Sequence, residues 1–228
     1  MATLVGNFLG NLSGKIGNFS ARTINGKTIL SIRPKHYRVS NSPKCIETRN
    51  KFAVAVAFAS CVSKVPELHE IWKPKKRSNM SVYNMIMKHN IEFVSSSEPT
   101  LDNIITPNGF SSPVIDATIS NGNLTGIMEA VDKVALIIPE AVNLSICAVI
   151  SLSDPKDESE PSHLLSSITA DFNKFNFSNP FEFEIPLCYD QICEIDKYNQ
   201  KIIFIVILIK SADERVIKYS KTASIISE

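Results

Sequence analysis

The sequence predicts a mainly β protein of the α+β class, and three observations carry that prediction. Asn-Gly pairs at Asn25-Gly26 and Asn121-Gly122 each join runs of strand-forming residues. This is the strongest short hairpin signal, because both turn positions need positive φ. Ser42-Pro43 precedes an alanine-rich stretch that Pro66 stops, which reads as a helix with Ser at the N-cap and Pro at the first helical position. From Ile91 onward, short segments rich in Val, Ile and Phe alternate with turn signals, the pattern of an antiparallel sandwich.

Taken in order, residues 1–34 read as two short β segments around the Asn25-Gly26 turn, with Pro34 ending the second. Half of the chain's eight glycines fall in its first 17 positions, at Gly6, Gly10, Gly14 and Gly17. So many would weaken a helix, so a loop or extended arm is expected there. Residues 35–44 form a basic linker. Helices are expected from Ser42-Pro43 to Pro66, over Glu67–Lys73 and over Met80–His89, with the basic turn Lys73-Pro-Lys-Lys-Arg77 between the last two.

Strands are expected near 113–119, 123–130, 133–139, 143–152, 181–187, 202–210 and 215–220. The eight-residue run Ile202–Ile209 suits a strand buried on both faces and is too short for a membrane helix. Asp154–Ser162 is acidic, proline-bearing and apolar-poor, hence an exposed loop. Ser211–Glu214 is the turn before the last strand. Seven strands in this span fit an Ig-like or fibronectin-like sandwich. Two domains are therefore expected: 1–90, a basic arm, hairpin and helical segment, and 91–228, an acidic Ig-like β-sandwich.

Charge follows the same border. The chain carries 24 basic and 23 acidic side chains, for a net charge of +1. Residues 1–90 hold 15 of the basic ones and only Glu47, Glu67 and Glu70, giving +15 − 3 = +12; residues 91–228 hold 9 and 20, giving −11. Such asymmetry bears on partners and association. Two clusters concentrate the basic charge: Arg33, Lys35, His36 and Arg38, and Lys73, Lys75, Lys76 and Arg77. Tyr37 and Trp72 lie inside them and could stack on nucleic-acid bases, although no RRM, KH or helix-turn-helix signature accompanies them.

Most catalytic patterns are missing from the sequence: it contains no GxSxG, HExxH, GxxxxGK[ST] or GxGxxG. Glu182 and Glu184 in Phe-Glu-Phe-Glu-Ile could be an acid–base pair, but strict alternation with Phe181, Phe183 and Ile185 reads as a strand with its polar face in solvent. Asp154, Asp157, Glu158 and Glu160 lack EF-hand spacing and read as a solvated loop rather than a calcium site. Five scattered cysteines, with no CxxC pair, read as reduced thiols packed as small apolar groups. No metal, cofactor or small-molecule substrate is expected. Met1–Gly14 has neither a basic n-region nor an unbroken apolar core, so cytoplasmic synthesis without a signal peptide is expected.

Three stretches resemble DUF6266, an uncharacterised family found mainly in Bacteroidota: Phe8–Gly17, Asn25-Gly-Lys-Thr with Arg33-Pro-Lys, and Arg49-Asn-Lys-Phe-Ala53. Lys210–Ser220 resembles the family's closing strand. The resemblance covers most of the chain and implies a divergent member with a glycine-bearing start, a hairpin, a helix and a C-terminal sandwich; it implies no chemistry. The architecture also resembles small phage or contractile-injection structural proteins whose N-terminal arm reaches a neighbour.

Together these readings point to a non-enzymatic assembly protein. Its basic segment (Arg33, Lys35, Arg38, Lys73, Lys75, Lys76, Arg77) would dock on other copies of itself or an acidic neighbour in a virion-like or injection-type particle. Arm residues Leu4, Val5, Phe8 and Leu9 would supply apolar contact, and the Thr23–Ile32 hairpin would pair edge to edge with a second copy. Nucleic-acid binding through the same clusters is the alternative.

Overall fold

The computed structural model describes residues 2–4, 12–34, 36, 39–131 and 141–227. It is mainly β, with 40% strand and 24% helix, so the α+β class holds. Two compact units emerge, Met1–Pro43 and Lys44–Glu228. The division thus falls at the start of the first long helix, and the expected border at residue 90 lies inside the second unit. The reason is that the helices before residue 90 share a core with strands after it.

In the first unit, β1 (Ala2–Leu4), β2 (Gly14–Ile16), β3 (Phe19–Ile24) and β4 (Lys27–Ile32) form an antiparallel sheet in the order β1-β4-β3-β2. The β3–β4 turn has Asn25 at φ +50° and Gly26 at φ +74°, the positive pair a right-twisted hairpin needs. Gly17, read from sequence as part of an arm, instead makes the turn between β2 and β3 at φ +53°. The N-terminal segment therefore contributes strands, and both edges of the β3–β4 hairpin are occupied, by β2 and β1. Edge pairing of this hairpin with another copy is accordingly ruled out by its own neighbours. Val5, Phe8 and Leu9 lie outside the described residues; Leu4 closes β1.

The second unit has three layers. Helices α1 (Pro43–Lys64), α2 (Pro66–Trp72) and α3 (Val82–Asn90) form the first. Pro66 forces the break between α1 and α2: Val65 before it is extended (φ −78°, ψ 115°), as the residue preceding proline must be, and the helical path bends by 104° there. Ser81 caps α3, its hydroxyl accepting from the Asn84 amide at 3.1 Å.

The middle layer is the five-stranded sheet β8 (His163–Phe172), β7 (Asn143–Pro155), β10 (Tyr198–Lys210), β11 (Val216–Tyr219), with β12 (Ala223–Ser227) also paired to β10. The third layer is the sheet β5 (Val114–Ser120), β6 (Asn123–Met128), β9 (Phe181–Pro186). Helix α4 (Tyr189–Ile195) follows β9, its start closed by Gln191, whose side-chain oxygen accepts from the Cys188 amide at 3.0 Å.

Strand alternation explains why both faces of the middle sheet are covered. Ile146, Ala148, Ile150, Ile203, Ile205 and Ile207 pack toward Leu124, Met128 and Phe183 of the third layer. Cys147, Val149, Phe204, Val206 and Leu208 pack toward Phe58, Val62, Leu68 and Trp72 of the helices. The apolar run at 202–209 is thus buried on both faces as expected. Alanines 55 and 59 are fully buried on α1, and their small side chains let that helix sit close.

The loop after α3 is held by two buried amides. Asn90 donates to the Ile86 and Ile104 carbonyls at 3.0 Å each, and its oxygen accepts from the Ile104 amide at 2.7 Å and from Asn103 at 3.1 Å. Asn103 in turn accepts from the Thr100 amide at 2.8 Å. Every polar atom of Asn90 is therefore satisfied, as burial demands.

Strand β8, helix α4 and strand β12 fall where the sequence reading assigned no element. Strand β8 packs Leu164, Ile168, Ala170 and Phe172 toward the third layer, a row that Ser166 interrupts, and its helix side is polar except for Leu165, so its alternation is weak. The expected strand at 133–139 lies outside the described residues. The turns at Asn121-Gly122 and Ser211–Glu214 form as expected, with Asn121, Gly122 and Glu214 at φ +52°, +77° and +60°.

Candidate interaction surfaces

The second basic cluster is exposed as a 3-10 turn, Lys73–Lys75, followed by Lys76 and Arg77. Lys73 pairs with Glu70 at 3.1 Å. Among the described residues no ion pair engages Lys75, Lys76 or Arg77. Trp72 is not available for base stacking: it is fully buried, its indole N–H donates to the Ile105 carbonyl at 2.9 Å, and its ring lies 5.3 Å from that of His89. The physical reason is helical spacing, since Leu68, Ile71 and Trp72 form one buried stripe of α2. In the first cluster Arg33 is exposed just after β4, its amide held by the Asn18 carbonyl at 2.8 Å. Lys35, Tyr37 and Arg38 lie outside the described residues.

The register of the first sheet sorts its side chains onto two faces. Lys15 stands opposite Ser20, which stands opposite Ser31; Arg22 faces Ile29 and Ile24 faces Lys27. One face therefore carries three exposed cations, Lys15, Arg22 and Lys27, around Ile24 and Ile29. The other carries Ile16, Phe19 and Ile32 in one row, 46–76% exposed.

The sheet β5-β6-β9 has one buried and one open face. Glu182 and Glu184 point outward, as the alternation predicts, with Phe183 and Ile185 buried between them. Asp116 faces Ile127, which faces Glu182, and Thr118 faces Thr125, which faces Glu184. A shallow concavity of about 450 Å³ lies over this acidic face.

A second cluster was not read from the sequence. The Lys210 ammonium, on a side chain only 4% exposed, lies 2.8 Å from Asp171, 3.4 Å from Glu67 and 3.7 Å from Glu214. Burial alone would lower its pKa, but the hydrogen bond and charge of Asp171, with Glu67 behind, raise it above the ordinary value. Burial likewise pushes Asp171 up, and hydrogen bonds from Lys210 and Ser145 override it and hold the carboxyl below its usual range. The signal was present: Lys210 follows Phe204, Val206 and Leu208 at even spacing, which puts it on the helix side. Glu67 and Glu214 also border a groove of about 580 Å³ between α2 and β11, whose apolar wall is Pro66, Ile71, Pro74, Val216 and Tyr219.

The buried thiols offer no nucleophile at neutral pH. Burial pushes Cys61 up to about 11 and Cys147 up to about 12, so both stay protonated. Among the described residues, no group of three or more His, Cys, Asp or Glu side chains is placed to hold a metal ion. No single helix among them is long and apolar enough to cross a membrane. The sequence matches no protein-family model and no curated protein.

Proposed function

We propose that this chain is a non-enzymatic assembly protein whose basic N-terminal unit docks on a neighbouring subunit, in a virion-like or injection-type particle. One observation carries the reading. The compact unit Met1–Pro43 holds six Lys or Arg and no Asp or Glu, while Lys44–Glu228 holds the remaining 24 − 6 = 18 basic and all 23 acidic side chains. The two units thus carry +6 and −5, and such opposition steers association between copies. Sedimentation of the full chain at low and high salt tests it: oligomers that grow with concentration and loosen with salt are expected.

The second reading is nucleic-acid binding, supported by the exposed, unpaired Lys75, Lys76 and Arg77. At this cluster it rests on phosphate contact, because Trp72 is buried. It predicts a steeply salt-dependent shift of DNA or RNA that weakens when these three are made neutral. A low-salt shift assay with no retarded band removes it.

The fold kinship belongs to the same proposal. Strands β5 to β11 are read as an Ig-like sandwich in which the first, second and fifth strands face the third, fourth, sixth and seventh. This differs from the constant-type immunoglobulin split only in the sheet that carries the fourth strand. Kinship with DUF6266 is proposed on the Asn25-Gly26 hairpin, the Arg49–Ala53 helix segment and the closing strands.

A further inference from the structure

We propose that the open face of the β5-β6-β9 sheet receives the basic face of the N-terminal sheet of a second copy. The inference rests on the assembly reading and names the two surfaces that meet.

The acceptor is a sheet face, not a loop cluster. Its inner side is closed by Leu124, Met128, Phe183 and Ile185. Its outer side presents Asp116, Glu182 and Glu184 in two adjacent cross-strand rows. The three strands contain no Lys, Arg or His, and among the described residues none of these carboxylates forms an ion pair. A solvated sheet face ordinarily mixes signs, because like charges across strands repel. Here one sign surrounds an apolar centre: Ile127 is 43% exposed, and Ile115, at the bulge beside Asp116, is 60% exposed. Charge rimming an apolar patch is the layout of an interaction surface.

The chain carries the complement. On the N-terminal sheet, Lys15, Arg22 and Lys27 surround Ile24 and Ile29 on one face. Both surfaces are antiparallel sheets, so their side chains stand at the same spacings, roughly 5 Å across strands and roughly 7 Å along them. Arg22 and Lys27, one strand and one row apart, can therefore meet Glu182 and Glu184, which lie in adjacent rows, while isoleucine meets isoleucine. The edges of the β3–β4 hairpin are occupied by β1 and β2, and its charge is displayed on a face. Donor and acceptor lie on different parts of the chain, so the contact is heterologous. Repeated, it builds rings or open filaments. Three short strands offer only about 15 by 20 Å, which places each contact in the weak, salt-sensitive class.

Charge exchange in the full-length chain tests the pairing. Variant one carries Glu182→Lys and Glu184→Lys; variant two carries Arg22→Glu and Lys27→Glu. At low salt each alone is expected to sediment as a monomer, and an equal mixture to recover the wild-type association, because each then supplies the surface the other lacks. Glu182→Gln with Glu184→Gln guards against misfolding; at unchanged thermal unfolding it is expected to weaken association about tenfold or more. Wild-type association in variant one, or no recovery on mixing, overturns this pairing while leaving the assembly reading in place. A wild-type chain that is monomeric at every concentration overturns both.

Discussion

Phe204→Ala is expected to destabilise the second unit by about 3–5 kcal/mol, the range for removing a buried ring. Phe204 is fully buried, and its ring meets Phe58 edge to face at 5.3 Å. It lies in the cluster where the middle sheet meets α1, so truncation opens a cavity between layers instead of at a rim. Chemical denaturation read by far-UV circular dichroism measures the loss. A double-mutant cycle with Phe58→Ala should show about 0.5–1.5 kcal/mol of coupling. A loss under about 1 kcal/mol would mean that the helices are not packed on this sheet.

Lys210→Met is expected to be the other costly change, by about 1–3 kcal/mol near neutral pH. The ammonium is buried, but Asp171 and Glu214 are about half exposed, at 48% and 54%. Water recovers part of what they lose, which keeps the figure below that of a fully buried pair. Glu67, at 22%, is left worst off.

The pH dependence separates this electrostatic cost from simple loss of packing. Asp171 is held below its ordinary value, so its contribution is present above about pH 4 and is lost as pH falls through its folded-state value. Lys210 is raised, so its contribution is present below about pH 10.5 and is lost as pH rises above that. Between those limits the cluster's contribution is flat. Without the lysine, only the Ser145 hydrogen bond opposes burial at Asp171, and the acid-side loss should begin at higher pH than in the wild type. Unfolding midpoints measured across the acid range check this. Superimposable profiles for variant and wild type would remove the ion cluster from the account.

What was legible in the sequence was what short-range chemistry determines. Asn25-Gly26 and Asn121-Gly122 made hairpins because their neighbours could not supply positive φ. Pro43 and Pro66 set helix ends through their fixed geometry. Glu182 and Glu184 alternated outward because the strand period left them no other face. Placement between layers was harder to read. The apolar run at 202–209 announced two covered faces, yet which element covered the second depended on α1 and α2, more than 130 residues upstream.

Local charge pulled two assignments the wrong way. Trp72 looked like a stacking residue because Lys73 follows it, whereas its spacing from Leu68 and Ile71 put it in the core. The break in charge near residue 90 marked a change of composition, and the compact units divide at 43 and 44. Strand β8 escaped notice because Ser166 interrupts its apolar row and the side that meets the helices is polar except for Leu165. That polar strip is where Ser167, Thr169 and Asp171 find Cys61, Cys147 and Lys210.

The claim that a basic N-terminal unit joins copies of this chain is tested most directly by sedimentation of the wild-type protein. Runs at several concentrations, with salt near 50 mM and near 500 mM, span Debye lengths of about 14 Å down to about 4 Å. The account predicts species larger than one chain at low salt, growing with concentration and falling back toward the monomer at high salt. A single monomeric species under every condition would contradict it.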